Sequence, residues 1–199
     1  MLQSITRSRS DRRADGAVIG ALIAALLLGA VVINLAQGQR SQFSNAEAGL
    51  TVAYPQGWLL QSSADLAFQA INPESGAFKT TYQARTTPIM AGGPVTPTLA
   101  LALNNMVLDR ARQETAYRLF EISEGAPVAG QPTMEANYVY VSAPSDPFAQ
   151  TAPVVVHGLD IAVARGDQAY IFSLLAAEGD AFAAAAPDFR RFVQSAALR

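Results

Sequence analysis

Two patterns of apolar residues divide the chain. Residues 16–36 carry no charge and are mostly Ala, Leu, Val, Ile and Gly, whereas from residue 43 onward apolar and polar positions mostly alternate. Leu50, Val52 and Tyr54 fall on one face of a predicted strand and Thr51 and Ala53 on the other, and Pro55-Gln56-Gly57 ends it in a turn. A hairpin follows around Pro73-Glu74-Ser75-Gly76. It joins residues 66–71 to a run in which Phe78, Thr80, Tyr82 and Ala84 oppose Lys79, Thr81, Gln83 and Arg85. The period then changes. Leu99, Leu103, Met106, Val107 and Arg110 share one helical face, which predicts a helix over 97–113 with Thr96 or Thr98 as its cap and Pro97 in its first turn. Four more strands are predicted at 117–123, 134–142, 154–164 and 168–176. The last is apolar on both faces, Tyr170, Phe172 and Leu174 against Ile171 and Leu175, so it belongs in the centre of the sheet with both sides covered. Phe182, Phe189, Phe192 and Val193 place a closing helix on the sheet, with Pro187 starting or kinking its second half. The expected class is α+β, a mainly antiparallel β-sheet with helices packed on it.

The uncharged stretch adds a transmembrane helix before that domain. Its 21 residues would rise to roughly 32 Å as a helix, about the thickness of a bilayer's hydrocarbon core. Arg7, Arg9, Arg12 and Arg13 precede it, against Asp11 and Asp15. The positive-inside rule therefore puts residues 1–15 in the cytoplasm and the C-terminal domain outside the cell membrane, single-pass. Residues 37–42 read as a short tether, reaching about 20 Å at most, and 43–199 as the extracytoplasmic domain. The alternative is secretion after cleavage near Gly38, because Ala36-Gln37-Gly38 spaces small residues as a signal peptidase requires. Gly16-x-x-x-Gly20 also fits close helix contact, although glycine is common in membrane helices in any case.

Composition removes whole classes of function. Sixteen acidic and 14 basic residues give a net charge of -2, and no basic stripe lies beyond residue 13, so nucleic acid is not expected as a partner. The absence of cysteine excludes disulfides, thiol catalysis and cysteine-held metals, and a single histidine excludes a multi-histidine centre within one chain. His157 has the strand parity of Leu159, Ile161 and Val163, which makes it a core or edge residue. With Asp160 and Ser173 it completes a nucleophilic triad only on paper, since no Gly-x-Ser-x-Gly elbow presents the serine. Asp109, Glu114, Glu121 and Glu124 lack the dense spacing of a calcium loop and read as solvated charges. Arg165-Gly166-Asp167 matches an adhesion tripeptide but sits between two apolar strands, where Gly166-Asp167 is a hairpin turn. Trp58 reads as a plug at one end of the core rather than a ligand platform. Two loops stiffened by proline and glycine hold apolar residues that a partner would grip: 86–96 with Ile89 and Met90, and 142–153 with Asp146 and Phe148. They serve equally well as lids folded back on the domain. The sheet face with Lys79, Gln83 and Arg85 is the next candidate surface.

Several of these features together resemble one family. Phe43-Ser44, the run Gly49-Leu50-Thr51-Val52-Ala53-Tyr54-Pro55-Gln56-Gly57-Trp58, the hairpin, the mid-domain helix and the closing Phe192-Val193-Gln194-Ser195 are similar to the PsbP-like α/β/α sandwich superfamily over nearly the whole outer domain. Its members include an extrinsic photosystem II subunit, a nuclear-import factor that binds a small GTPase, and bacterial envelope proteins of unknown role. The resemblance implies a non-catalytic binding or assembly module without a cofactor, engaging a protein partner at or near the membrane. The membrane stretch replaces the flexible, cleaved N-terminal region of the plant-type subunit, so neither the photosystem role nor the GTPase role carries over. The contrasting expectation is an envelope enzyme or metal-dependent protein using carboxylates and His157.

Overall fold

The computed structural model describes residues 39–90, 92–143 and 152–199, together with Leu22, Ile23 and Leu26, which are helical and exposed. The rest of the expected span 16–36, the N-terminal 1–15, the cleavage position near Gly38, and Asp146 and Phe148 lie outside the described residues. Among the described residues no helix is long and apolar enough to cross a membrane. The chain divides into two units, Met1–Arg40 and Ser41–Arg199.

The elements of the second unit run β1 (Arg40–Asn45), β2 (Leu50–Pro55), β3 (Leu59–Leu60), β4 (Phe68–Ile71), β5 (Thr81–Pro88), α1 (Val95–Gln113), β6 (Thr115–Val128), β7 (Gln131–Ser142), β8 (Val154–Arg165), β9 (Gln168–Ala177), α2 (Asp180–Gln194) and β10 (Ala197–Leu198). Seven strands form one sheet in the order β3-β4-β5-β9-β8-β7-β6, and β1-β2-β10 form a second. Every registered pair is antiparallel. β9 lies in the middle of the large sheet and is buried on both faces, as its double apolar pattern requires.

The strand alternation sorts residues onto two unlike faces. Leu159, Ile161, Val163, Tyr170, Phe172 and Leu174 pack toward α2 and the small sheet, where Phe68, Phe189, Phe192, Leu50 and Val52 complete an aromatic core. On the opposite face α1 lays Leu99, Leu103 and Met106 over Met134, Ala136, Ala162, Ala169 and Ile171. The layers are therefore helix, sheet, then helix with small sheet.

Local chemistry explains the turns. Pro55-Gln56-Gly57-Trp58 closes with a Trp58 N–H to Pro55 carbonyl bond of 3.4 Å, and Gly57 takes a φ of 86° that a side chain would disfavour. Gly166 and Asp167 join β8 to β9 with Arg165 opposite Gln168, so the adhesion-like tripeptide is a two-residue hairpin turn.

Some expectations shift. β1 begins at Arg40, within the stretch read as a tether. Residues 78–80 belong to the loop before β5, where Lys79 donates to the carbonyls of Pro73 and Ser75. α1 starts at Val95 after Pro94 without a side-chain cap. The Thr98 hydroxyl donates 2.8 Å to the Pro94 carbonyl instead, so neither threonine caps the helix. β6 extends to Val128, beyond the predicted 123, through register shifts that break its alternation.

Candidate functional site

Under the C-terminal half of α1 the apolar packing gives way to a polar cluster. Arg110, on the same helical face as Leu99, Leu103, Met106 and Val107, sends Nη2 to Asp160 Oδ1 on β8 and to Ser173 Oγ on β9, both at 3.1 Å. Asp160 and Ser173 are directly opposite each other in the β8–β9 ladder, which is why one guanidinium reaches both. The hydroxyl of Tyr138 on β7 donates 3.2 Å to the same carboxylate oxygen, and its ring lies beneath the guanidinium at 4.5 Å. Tyr138 fits only because residue 158, its cross-strand neighbour, is glycine: a Cβ there would come within 2.1 Å of the tyrosine ring. Arg85 on β5 belongs to the same face, so the sheet surface expected to be open is partly taken up by this cluster and by α1.

Burial shapes the electrostatics. Asp160 is fully buried, and desolvation pushes its carboxyl above the ordinary value, while Arg110, the Ser173 hydroxyl and Arg85 pull it down. Burial, together with the like charge of Arg110, lowers the pKa of Arg85. Tyr117 and Tyr140 border the cluster, and burial pushes each phenol up to about 12. Asp160 and Ser173 expose 0% and 1% of their surface. Groups so enclosed cannot touch a substrate; they fasten α1 to the sheet.

The remaining candidates are scattered by the fold. His157 faces α2, across the sheet from Asp160 and Ser173, so the paper triad never assembles. The imidazole stacks parallel on Phe182 at 3.6 Å with Phe120 edge-on at 5.9 Å, and desolvation lowers its pKa, with Glu178 opposing that shift. Glu121 and Glu124 stand exposed on β6, and Asp109 pairs with Arg112. Among the described residues no group of three or more His, Asp or Glu is placed to hold a metal ion. Trp58 packs against the aromatic core, its ring 4.4 Å from that of Tyr82. Beside that pair a cleft of about 320 Å³ opens, lined also by Pro55, Ala181, Ala184 and Asp188.

The two loops read as partner contacts are anchored at opposite ends of the large sheet. Ile89 follows the end of β5, where its N–H bonds the carbonyl of Asp167 in the β8–β9 turn at 2.8 Å. The other loop springs from Ser142 and Val154, which pair with each other at the far ends of β7 and β8. β8 alone has 12 residues, about 40 Å of strand at 3.3 Å per residue. Within the first loop the residues divide: Ile89 packs against the α1 core, and Met90 is 82% exposed. Sequence reasoning missed the Arg110 cluster. Its one visible signal was Arg110 ending an apolar helical face, paired with Asp160 in an otherwise apolar strand.

No family model and no curated protein matches the chain. Among solved structures, the cyanobacterial PsbP (CyanoP) of Synechocystis sp. PCC 6803 superposes with a TM-score of 0.57 at 14% identity, covering 80% of this chain and 92% of that one. The fold is PsbP-like. Lower similarity is found to the Saccharomyces cerevisiae Ran-binding protein Mog1p, with a TM-score of 0.48 and 9% identity over 80% of this chain and 95% of that one. LpqN of Mycobacterium tuberculosis, a protein involved in cell envelope biogenesis, gives 0.48 and 13% over 78% and 87%. The Tyr54-Pro55-Gln56-Gly57-Trp58 turn, on which the PsbP-like resemblance first rested, seats its tryptophan on Tyr82 at the end of the aromatic core.

Proposed function

We propose that this chain is a non-catalytic binding or assembly module, held at the outer side of the cytoplasmic membrane by residues 16–36 and engaging a protein partner. The observation that carries the reading is Met90. It is a large apolar side chain 82% exposed, and the base of its loop is pinned by the Ile89 to Asp167 bond. An apolar residue presented on a braced loop contributes little to the fold and gives a partner a ready contact. Val95, 36% exposed at the start of α1, adds apolar surface at the same end. The PsbP-like fold is compatible with this reading, as is the enclosure of Arg110, Asp160 and Ser173 in a structural clamp.

Affinity capture from membranes with the full chain tests the binding reading. Met90→Asp is expected to lose the captured protein while its stability changes by no more than an ordinary surface substitution, about 0.5 kcal/mol. An unchanged capture profile removes Met90 from the contact. His157→Ala is expected to leave capture intact, and loss of a measurable turnover in that variant would favour the enzyme reading. For location, the protein is expected to stay in the membrane through alkaline extraction, with added protease digesting residues beyond Arg40 from outside. A soluble product beginning near Gly38 would show secretion instead.

A further inference from the structure

The described domain exposes large apolar side chains at the end through which the chain enters it. β1 starts at Arg40, and only residues 37–39 separate it from Ala36, the last residue of the uncharged stretch. Three residues reach about 10 Å. The hydroxyls of Ser44 and Thr51 lie 3.0 Å apart between β1 and β2, neighbours in the small sheet, and β2 ends at Pro55. Pro55 opens the turn into Trp58, Leu59 and Leu60. The two leucines are 58% and 47% exposed although they form β3, where successive side chains point to opposite faces. Farther across the sheet at the same end, Val155 is 40% exposed where its carbonyl accepts the Glu178 N–H.

We propose that this end of the domain rests on the lipid bilayer, with Leu59 and Leu60 entering the headgroup region and Trp58 at the interface. The proposal deepens the tethered reading and rests on it. A tether of at most about 10 Å leaves the Arg40 end no room to stand clear of the surface. Tryptophan beside leucine is the composition that settles at a membrane interface. Among the described residues the charges at this end are of both signs, Arg40 and Lys79 with Glu74, Glu178 and Asp180, so the proposed contact is apolar rather than electrostatic and zwitterionic lipid suffices. Met90, beyond the opposite end of β5, then points away from the membrane toward its partner.

Trp58 is the chain's single tryptophan, which makes it a native depth probe. The full chain is reconstituted in phosphatidylcholine vesicles with or without brominated acyl chains and floated on a density gradient. Bromine is expected to quench Trp58 emission, because an interfacial side chain lies at the headgroup and acyl boundary. Leu59→Glu/Leu60→Glu, floating and melting like the parent, is expected to recover most of that emission, and Trp58→Phe/Met90→Trp to be unquenched. The chain has no cysteine, so a fluorophore on Gln56→Cys, at an exposed turn position, repeats the measurement without touching the core. A chain that floats with both probes unquenched, or a leucine variant quenched as strongly as the parent, overturns the proposal and leaves the tether standing. A chain that fails to float overturns the tether and the proposal with it.

Discussion

The two faces of the large sheet are covered by helices of similar length, and the covers are held by different forces. Under α2 the contact is chiefly apolar and rich in rings: Phe192 lies 5.2 Å from Phe68, 5.1 Å from Tyr82 and 5.8 Å from Phe172, ring centre to ring centre, among Leu159, Ile161, Val163 and Leu174, and one ion pair, Arg190 to Glu135 of β7 at 2.6 Å, is added at its edge. Under α1 the sheet offers Ala136, Ala162 and Ala169 to leucines, and the far end of the helix is fastened by the Arg110–Asp160 pair over Tyr138. Large rings fill space by area and shape and need no partner of opposite charge. The alanines bury little area beside Met134 and Ile171, so the α1 face adds polar contacts to a smaller apolar one, and such contacts fail when one member is removed. Within one domain, then, α2 rests on a large, ring-rich apolar core with an ion pair at its edge, and α1 on a smaller apolar core ended by a buried polar clamp.

Five substitutions test that contrast, and the largest effect is expected on the aromatic side. Phe192→Ala should cost about 3–5 kcal/mol, seen as a large fall in melting temperature; a loss below about 1 kcal/mol would mean the aromatic cluster is not the principal core. Arg110→Met comes next, at about 2–4 kcal/mol, because it removes the ion-pair partner of the fully buried Asp160. Adding Asp160→Leu should restore most of that loss, and a double variant as unstable as the single one would disprove the clamp.

The Arg110 variant also carries a pH signature. The carboxyl of Asp160 is raised in the folded state above 3.8, so the folded protein holds that proton more tightly than the unfolded one. Its contribution to stability is fully present below pH 3.8 and is lost as pH rises through the folded value. Without Arg110 the carboxyl rises further, and the deficit in denaturant titrations should be smallest in acid and grow toward neutral pH.

Gly158→Ala is expected to cost about 1–3 kcal/mol by forcing the Tyr138 ring off the strand, and weaker near-ultraviolet dichroism from the displaced tyrosine would accompany the loss. The smallest effect belongs to His157 on the α2 side. Its folded pKa lies below 6.5, so its contribution is present above pH 6.5 and is lost as pH falls through the lowered value. His157→Phe should flatten that slope, a change under about 1 kcal/mol; an unaltered slope would assign the pH dependence to other groups.

Strands and helices were largely legible because each spacing has one physical reading. Alternation in 154–164 and 168–176 indicated strands, the double apolar face of the latter indicated the centre of the sheet, and Pro55 to Trp58 had the residues that a tight turn needs. β3 and β10 were not legible, since two residues cannot show a period. The alternation predicts too short a β6, because register shifts between Thr115 and Val128 break its period. The threonine cap failed because a hydroxyl near a helix start has two uses, and Thr98 turned back to the Pro94 carbonyl.

By itself the sequence determined the fold class, the order of the main elements, the exclusion of thiol and multi-histidine chemistry, and the PsbP-like resemblance, because these rest on residue type and on spacing within one element. Which distant residues meet was left to tertiary structure. Pairing Asp160 with Ser173, 13 positions apart, and laying Arg110 over both depends on strand register and on where α1 crosses the sheet. Separating His157 from that cluster depends on which face each side chain occupies. The two loops looked alike in composition, yet strand direction anchors them at opposite ends of the sheet. A one-dimensional pattern holds no distance between its parts until the chain folds back and fixes one.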